Sequence, residues 1–172
     1  GSLEIAKKIL QRMNAVFRYA VQTGRATYNP AADMQGALKS KPVEHLPAVF
    51  DANLSQLLKD ITANNRLHPT TKLALQLTAL TACRSGEIRR AHWSEIDLED
   101  KEWHIPAERM KMKRPHIVPL STQALAVIER AGKLWGTDGL LFPSVSDETK
   151  PMSNNAMSKA LRDMGYRGKA TP

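Results

Sequence analysis

Between Trp93 and Leu120 the hydrophobic pattern changes period, and that change confines the chain to a narrow set of folds. On either side, apolar residues recur at helical spacing. Within it, Ile96-Asp97-Leu98, Glu102-Trp103-His104-Ile105 and His116-Ile117-Val118-Pro119-Leu120 are short apolar runs separated by polar turns. Such runs predict an antiparallel sheet of three short strands. The expected fold class is therefore mainly α with a small antiparallel three-stranded β-sheet, an α+β arrangement.

The helical pattern begins at the front. From Leu3 to Gln22, Ile5, Ile9, Met13, Val16 and Ala20 follow in steps of four, four, three and four, one face of a helix. Gly24 is placed to end it in a left-handed cap. Asn29-Pro30 reads as an N-cap followed by proline at the first helical position, opening a short helix to Leu38. Residues 39–47 hold two prolines and no helical period, and mark a linker between two domains. Beyond it, Asn53 to Ala63 has Leu54, Leu57, Leu58 and Ile61 on one face. Pro69 to Ala82 carries Leu73, Leu77 and Leu80, widened by Ala74 and Leu75, as a deeply buried helix does. A short helical piece is expected over Ser85–Ala91. Ser121 caps a helix running to about Leu134. A last helix is expected over Asn154–Met164, capped by Ser153 and stopped by Gly165.

Charge narrows the partners. The 172 residues carry 25 Lys and Arg against 17 Asp and Glu, a net charge of +8. With 42% apolar residues the chain is too hydrophobic for a disordered basic tail, so the charge sits on a folded body and the expected partner is a polyanion. The excess is shared: seven bases and three acids through Pro47, eighteen and fourteen after it. A single cysteine, Cys83, excludes an internal disulfide and a Cys-rich zinc site, and a reducing cytoplasm is the expected compartment. Cys83 itself reads as a small buried hydrophobe. The longest apolar stretch, Leu73 to Cys83, falls short of the roughly 20 residues of a membrane span.

Two segments can carry chemistry. In Arg84-Ser85-Gly86-Glu87, a carboxylate three residues on could hold an arginine fork that binds phosphate in bidentate fashion; an ordinary local ion pair has the same spacing. Arg109-Met110-Lys111-Met112-Lys113-Arg114-Pro115-His116 places four bases and no acid between two strands. Such a hairpin suits contact with a nucleic-acid backbone, where each cation releases counterions, and a lysine in it could act as a general acid. A merely solvated basic turn would look the same. The five histidines are scattered, with no metal-ligand spacing to Cys83, and there is no glycine-rich phosphate loop. Neither a metal nor a cofactor is expected.

Taken in order, these pieces resemble the tyrosine recombinases, in particular the phage- and genomic-island-type integrases. The similar stretches run from Leu77 to Asp97 and from Trp103 to Ser121, with Leu141-Phe-Pro-Ser144 and Pro151-Met-Ser-Asn154 behind them. In front, Gln11 to Ala20 and Asn29-Pro-Ala-Ala32 resemble the end of the family's helical core-binding domain. The resemblance implies that residues 3–38 are the last helices of that domain, 39–47 the linker, and 48–172 the first part of the catalytic domain. It implies a reaction in which a tyrosine attacks a DNA phosphodiester, forming a 3′-phosphotyrosyl link that a 5′-hydroxyl later reverses, so that a phage or genomic island is integrated or excised. Arg84 matches the first phosphate-binding arginine and Glu87 its supporting acid. Lys111 matches the lysine that protonates the leaving 5′-oxygen, and Lys113 takes that place if the turn is shifted. Lys111, Lys113 and Arg114, with Lys39 and Lys41 of the linker, are the expected DNA-binding residues. Double-stranded DNA and other protomers in a tetramer are the partners implied for the full-length parent.

The chain also departs from the family pattern. No histidine is followed by arginine at the third position, so the family's second box is absent. The tyrosines are Tyr19, Tyr28 and Tyr166, and even Tyr166 precedes the place where that box would stand. The expectation is a truncated, monomeric portion of an integrase that binds DNA and does not cut it. The alternative is a non-catalytic DNA-binding regulator derived from an integrase.

Overall fold

The computed structural model describes residues 2–34, 36–39 and 52–172. Lys41 and linker residues 40–47 lie outside the described residues. The chain forms two compact units, Gly1–His45 and Leu46–Pro172.

In the first unit, α1 spans Leu3–Gln22. Thr23 closes it by donating its backbone N–H to the Tyr19 carbonyl, and Gly24 adopts φ +68°, a conformation glycine reaches without a Cβ clash. Two features of this unit do not follow from its local pattern. The stripe Ile5, Ile9, Met13 and Val16 is exposed; the partly covered side of α1 carries Leu3, Ala6, Leu10, Asn14 and Phe17 instead. The short helix to Leu38 is also absent, leaving α1 as the one helix among the described residues of 3–38. The Asn29 carboxamide explains the second difference. Its oxygen accepts from the Ala31 N–H at 3.0 Å and its nitrogen donates to Asn14 Oδ1 at 2.7 Å, so it closes a local turn and ties it to α1. The following bonds, Ala32 to Asn29 and Ala37 to Met34, are i to i−3, and Gly36 turns to φ +88°.

The second unit is built on α3 (Pro69–Thr81), which packs against α2 (Ala52–Ala63), α5 (Thr122–Trp135) and α6 (Ala156–Asp163). His68 caps α3 by accepting from the Thr70 N–H, and Pro69 occupies the first turn, where a missing N–H costs nothing. Thr78 and Thr81 return their hydroxyls to the carbonyls of Ala74 and Leu77, which satisfies them inside an apolar helix. Ala82, at φ 53°, ends α3 and redirects the chain into α4 (Ser85–Ile88). That helix is shorter than the expected Ser85–Ala91: the Ala91 N–H turns to the Ile88 carbonyl three residues back, while the Glu87 carbonyl that it would meet in an α-helix accepts from Arg109.

Strands β1 (Ile96–Asp97), β2 (Glu102–Ile105) and β3 (His116–Pro119) form an antiparallel sheet in that order, with Trp103 opposite Ile96 and Val118. Alternation decides the faces: Trp103, Ile105 and Val118 enter the core, while Glu102, His104 and Ile117 do not. They join Leu73, Leu77, Ile88, Ile128 and Phe142 in one hydrophobic cluster. Ser121 caps α5 through its hydroxyl, which accepts from the Ala124 N–H. Ahead of α6, Ser153 accepts from the Asn155 and Ala156 N–H groups, and this turn delays the helix to Ala156.

Candidate active site

Because Ala82 turns the chain sharply out of α3, Arg84 arrives as the N-cap of α4, with Glu87 in the first turn of that helix. Glu87 Oε1 accepts from Arg84 Nη1 and Oε2 from the Arg84 backbone N–H, both at 2.9 Å. The Glu87 side chain is 7% exposed and that of Arg84 is 64% exposed. A surface ion pair would leave both groups in water and contribute little. Here a buried carboxylate spends both oxygens on one residue, and the guanidinium projects outward with its orientation set. Among the described residues it has no other partner. Beside it an apolar groove of about 410 Å³ is lined by Leu57, Leu75, Cys83 and Leu161 among others, a low-dielectric wall that strengthens the field of the cation. Burial pushes the Cys83 thiol up, opposed by a hydrogen bond from Thr81 and raised further by Glu87. A thiol held protonated and covered is not a nucleophile.

The basic run divides. Arg109 ends a 3₁₀ turn, Ala107–Arg109, and its side chain is only 16% exposed. It pairs with Glu95 through Nη1 and donates from Nη2 to the Glu87 backbone carbonyl at 2.6 Å. The second oxygen of Glu95 accepts from the Trp103 indole at 3.0 Å and the His92 backbone N–H at 3.2 Å. Lys111, Met112, Lys113 and Arg114 are exposed, and none of the described carboxylates pairs with the three cations. Lys113 donates its backbone N–H to the Met110 carbonyl and sits at φ +50°. Lys111 makes no hydrogen bond or ion pair to Arg84 or Glu87. Lys39, in the first unit, is exposed.

Arg109 and Glu95 are the residues that sequence reasoning missed. Arg109 looks like the first member of the basic hairpin, and only the fold turns it inward. Tyr166 has an anchoring contact of its own. Its hydroxyl donates to Asp60 Oδ2 at 2.6 Å, and that bond, with burial and the carboxylate charge, raises its pKa to about 12. Among the described residues no cluster of three or more His, Cys, Asp or Glu side chains could hold a metal ion.

The model of the phage integrase family matches residues 49–172, most of the chain and the whole of this site. The chain belongs to the phage integrase family. The central domain of phage integrases matches residues 1–37. Among relatives, IntB of Escherichia coli (strain K12) is 43% identical over 96% of this chain, and the integrase of Enterobacteria phage P4 is 40% identical over the same share. The chain spans 45% and 40% of their lengths, less than half of each. A λ integrase (residues 75–356) dimer bound to a COC′ core site superposes with a TM-score of 0.71 at 20% identity, covering 99% of this chain and 58% of that one. The Tn1549 transposon integrase in complex with circular intermediate DNA gives 0.71 at 15% identity, covering 99% and 61%. At these identities the likeness establishes the fold: the helices and three-stranded sheet of this chain are arranged as in those two integrases.

Proposed function

We propose that this chain is the phosphate-binding and leaving-group half of a site-specific DNA recombinase that acts through a 3′-phosphotyrosyl intermediate. The observation that carries the reading is the pairing of buried Glu87 with exposed Arg84, beside a hairpin of cations without carboxylate partners. Arg84 holds two oxygens of the scissile phosphate and stabilises the charge that develops as the phosphorus becomes five-coordinate, with no reorganisation because Glu87 has already oriented it. Lys111 donates a proton to the departing 5′-oxygen. The attacking tyrosine exchanges one phosphodiester bond for another, which conserves the bond energy for religation. Lys113, Arg114, Lys39 and Lys41 contact the duplex backbone.

We assign that nucleophile to none of the three tyrosines here, because all of them precede the place where the family's second box would stand. Tyr166 is bound to Asp60, and Tyr28 donates to Asp33 at 2.7 Å. On this reading the chain by itself binds duplex DNA without cutting it, and it works where the DNA is, at the nucleoid in the cytoplasm. Fluorescence anisotropy on labelled duplex DNA across a salt series tests the reading. The expected result is affinity that falls steeply with salt, and no covalent adduct on a nicked suicide substrate. Salt-independent or absent binding would refute it, as would an adduct on Tyr166.

A further inference from the structure

Arg84 and Lys111 stand on different segments, and neither touches the other. One guanidinium bridges the segments. Arg109 lies two residues before Lys111 at the root of the hairpin, and its Nη2 donates to the carbonyl of Glu87, the residue whose carboxylate holds Arg84. Its Nη1 is paired with Glu95, whose remaining oxygen is occupied by the Trp103 indole of β2 and the His92 N–H. The fork thus joins three things: the hairpin stem, the sheet and the backbone of the Arg84–Glu87 turn. Both acceptor oxygens of Glu95 are used, while the Arg109 Nε is buried with no partner among the described residues, so the two Nη atoms carry the bridge. Arg109 is nearly covered, so it is not itself a DNA contact.

We infer that Arg109, with Glu95 as its counter-ion, is a positioning residue that fixes the hairpin bearing Lys111 relative to Arg84. This rests on the proposed function for its catalytic meaning, but the coupling itself is a property of the free protein. A lysine cannot replace it: a single ammonium has no planar fork to reach Glu95 and the Glu87 carbonyl together. The exposed tip, Lys111 to Arg114, stays free to follow DNA while its stem is held.

Amide hydrogen exchange on the 172-residue chain tests the coupling without DNA. Arg109→Met and Arg109→Lys are each expected to speed exchange of the Lys113 N–H and the Arg84 N–H by about tenfold or more beyond any change in the α5 amides, which report global stability. Equal loss of protection in α5 would mean plain destabilisation and would overturn the inference, as would an unchanged hairpin. If Arg109→Met does not fold, Arg109→Lys, which retains the charge facing Glu95, carries the same test.

A double-mutant cycle on duplex affinity then tests the consequence. Lys111→Ala is expected to weaken binding in the native background and to have less than half that effect, on a logarithmic scale, when Arg109 is Lys. Additive effects would overturn the positioning role. Loss of all DNA binding by the native chain would refute the proposed function instead, and the exchange result would still decide the coupling.

Discussion

Arg84 and Lys111 both present a cation to solvent, yet the chain secures them by different means. Arg84 is bonded directly to a buried carboxylate in its own turn. Lys111 is reached only through the stem of its hairpin, where Arg109 is buried against Glu95 and the Glu87 carbonyl. The contrast follows from the two tasks proposed for them. A group that must meet a developing charge gains from being oriented beforehand. A group that must reach the departing 5′-oxygen of bound DNA gains from a held stem and a tip with no competing carboxylate.

The comparison breaks most severely at its shared anchor. Arg109→Met leaves the Glu95 carboxylate nearly buried without its cation and is expected to lower unfolding free energy by about 3 kcal/mol in urea titrations. Loss within experimental error would mean that the bridge holds nothing. Next comes Glu87→Gln, which keeps shape while removing the charge from one side of the pair. A loss of about 1.5 kcal/mol is expected, together with weaker DNA binding, because the Arg84 fork is no longer directed.

A smaller loss is expected from Tyr166→Phe, and it has a pH signature. The hydroxyl titrates near pH 10 when unfolded and at about 12 in the fold, because Asp60 accepts its proton. The raised value means that this contribution is complete below pH 10 and disappears as pH rises towards 12. Native stability should therefore fall more steeply than that of the variant between those values, by thermal melts. Parallel curves would show that the Asp60 bond is not maintained in solution.

The smallest change separates the two roles of the hairpin tip. Lys113 occupies a left-handed conformation, so Lys113→Gly should raise stability by about 0.5 kcal/mol while lowering the salt slope of DNA binding by about one. An unchanged slope would remove Lys113 from the phosphate contacts.

Much of the fold was legible because it depends on neighbours in sequence. Helix α1 covers Leu3–Gln22 and β2 covers Glu102–Ile105, as periodicity indicates, and Ser121 caps α5 with its own hydroxyl. The failures have a common cause. Asn29-Pro30 has the composition of a helix start, but the Asn29 side chain is drawn to Asn14, fifteen residues back. The stripe from Ile5 to Val16 has the period of a covered face, yet periodicity cannot say which of two apolar sides of a helix meets a neighbour.

The charge run over Arg109–Arg114 carries the same lesson into the site. By itself the sequence determined the sign and spacing of the charges, the helix and strand periods, and the order of segments by which the family is recognised. Only the tertiary structure decided which cation is buried. That outcome depends on Glu95, fourteen residues from Arg109, and on a carbonyl of Glu87 twenty-two residues away. A charged side chain leaves water only where distant groups meet its hydrogen-bonding needs, and it is the fold that brings those groups to it.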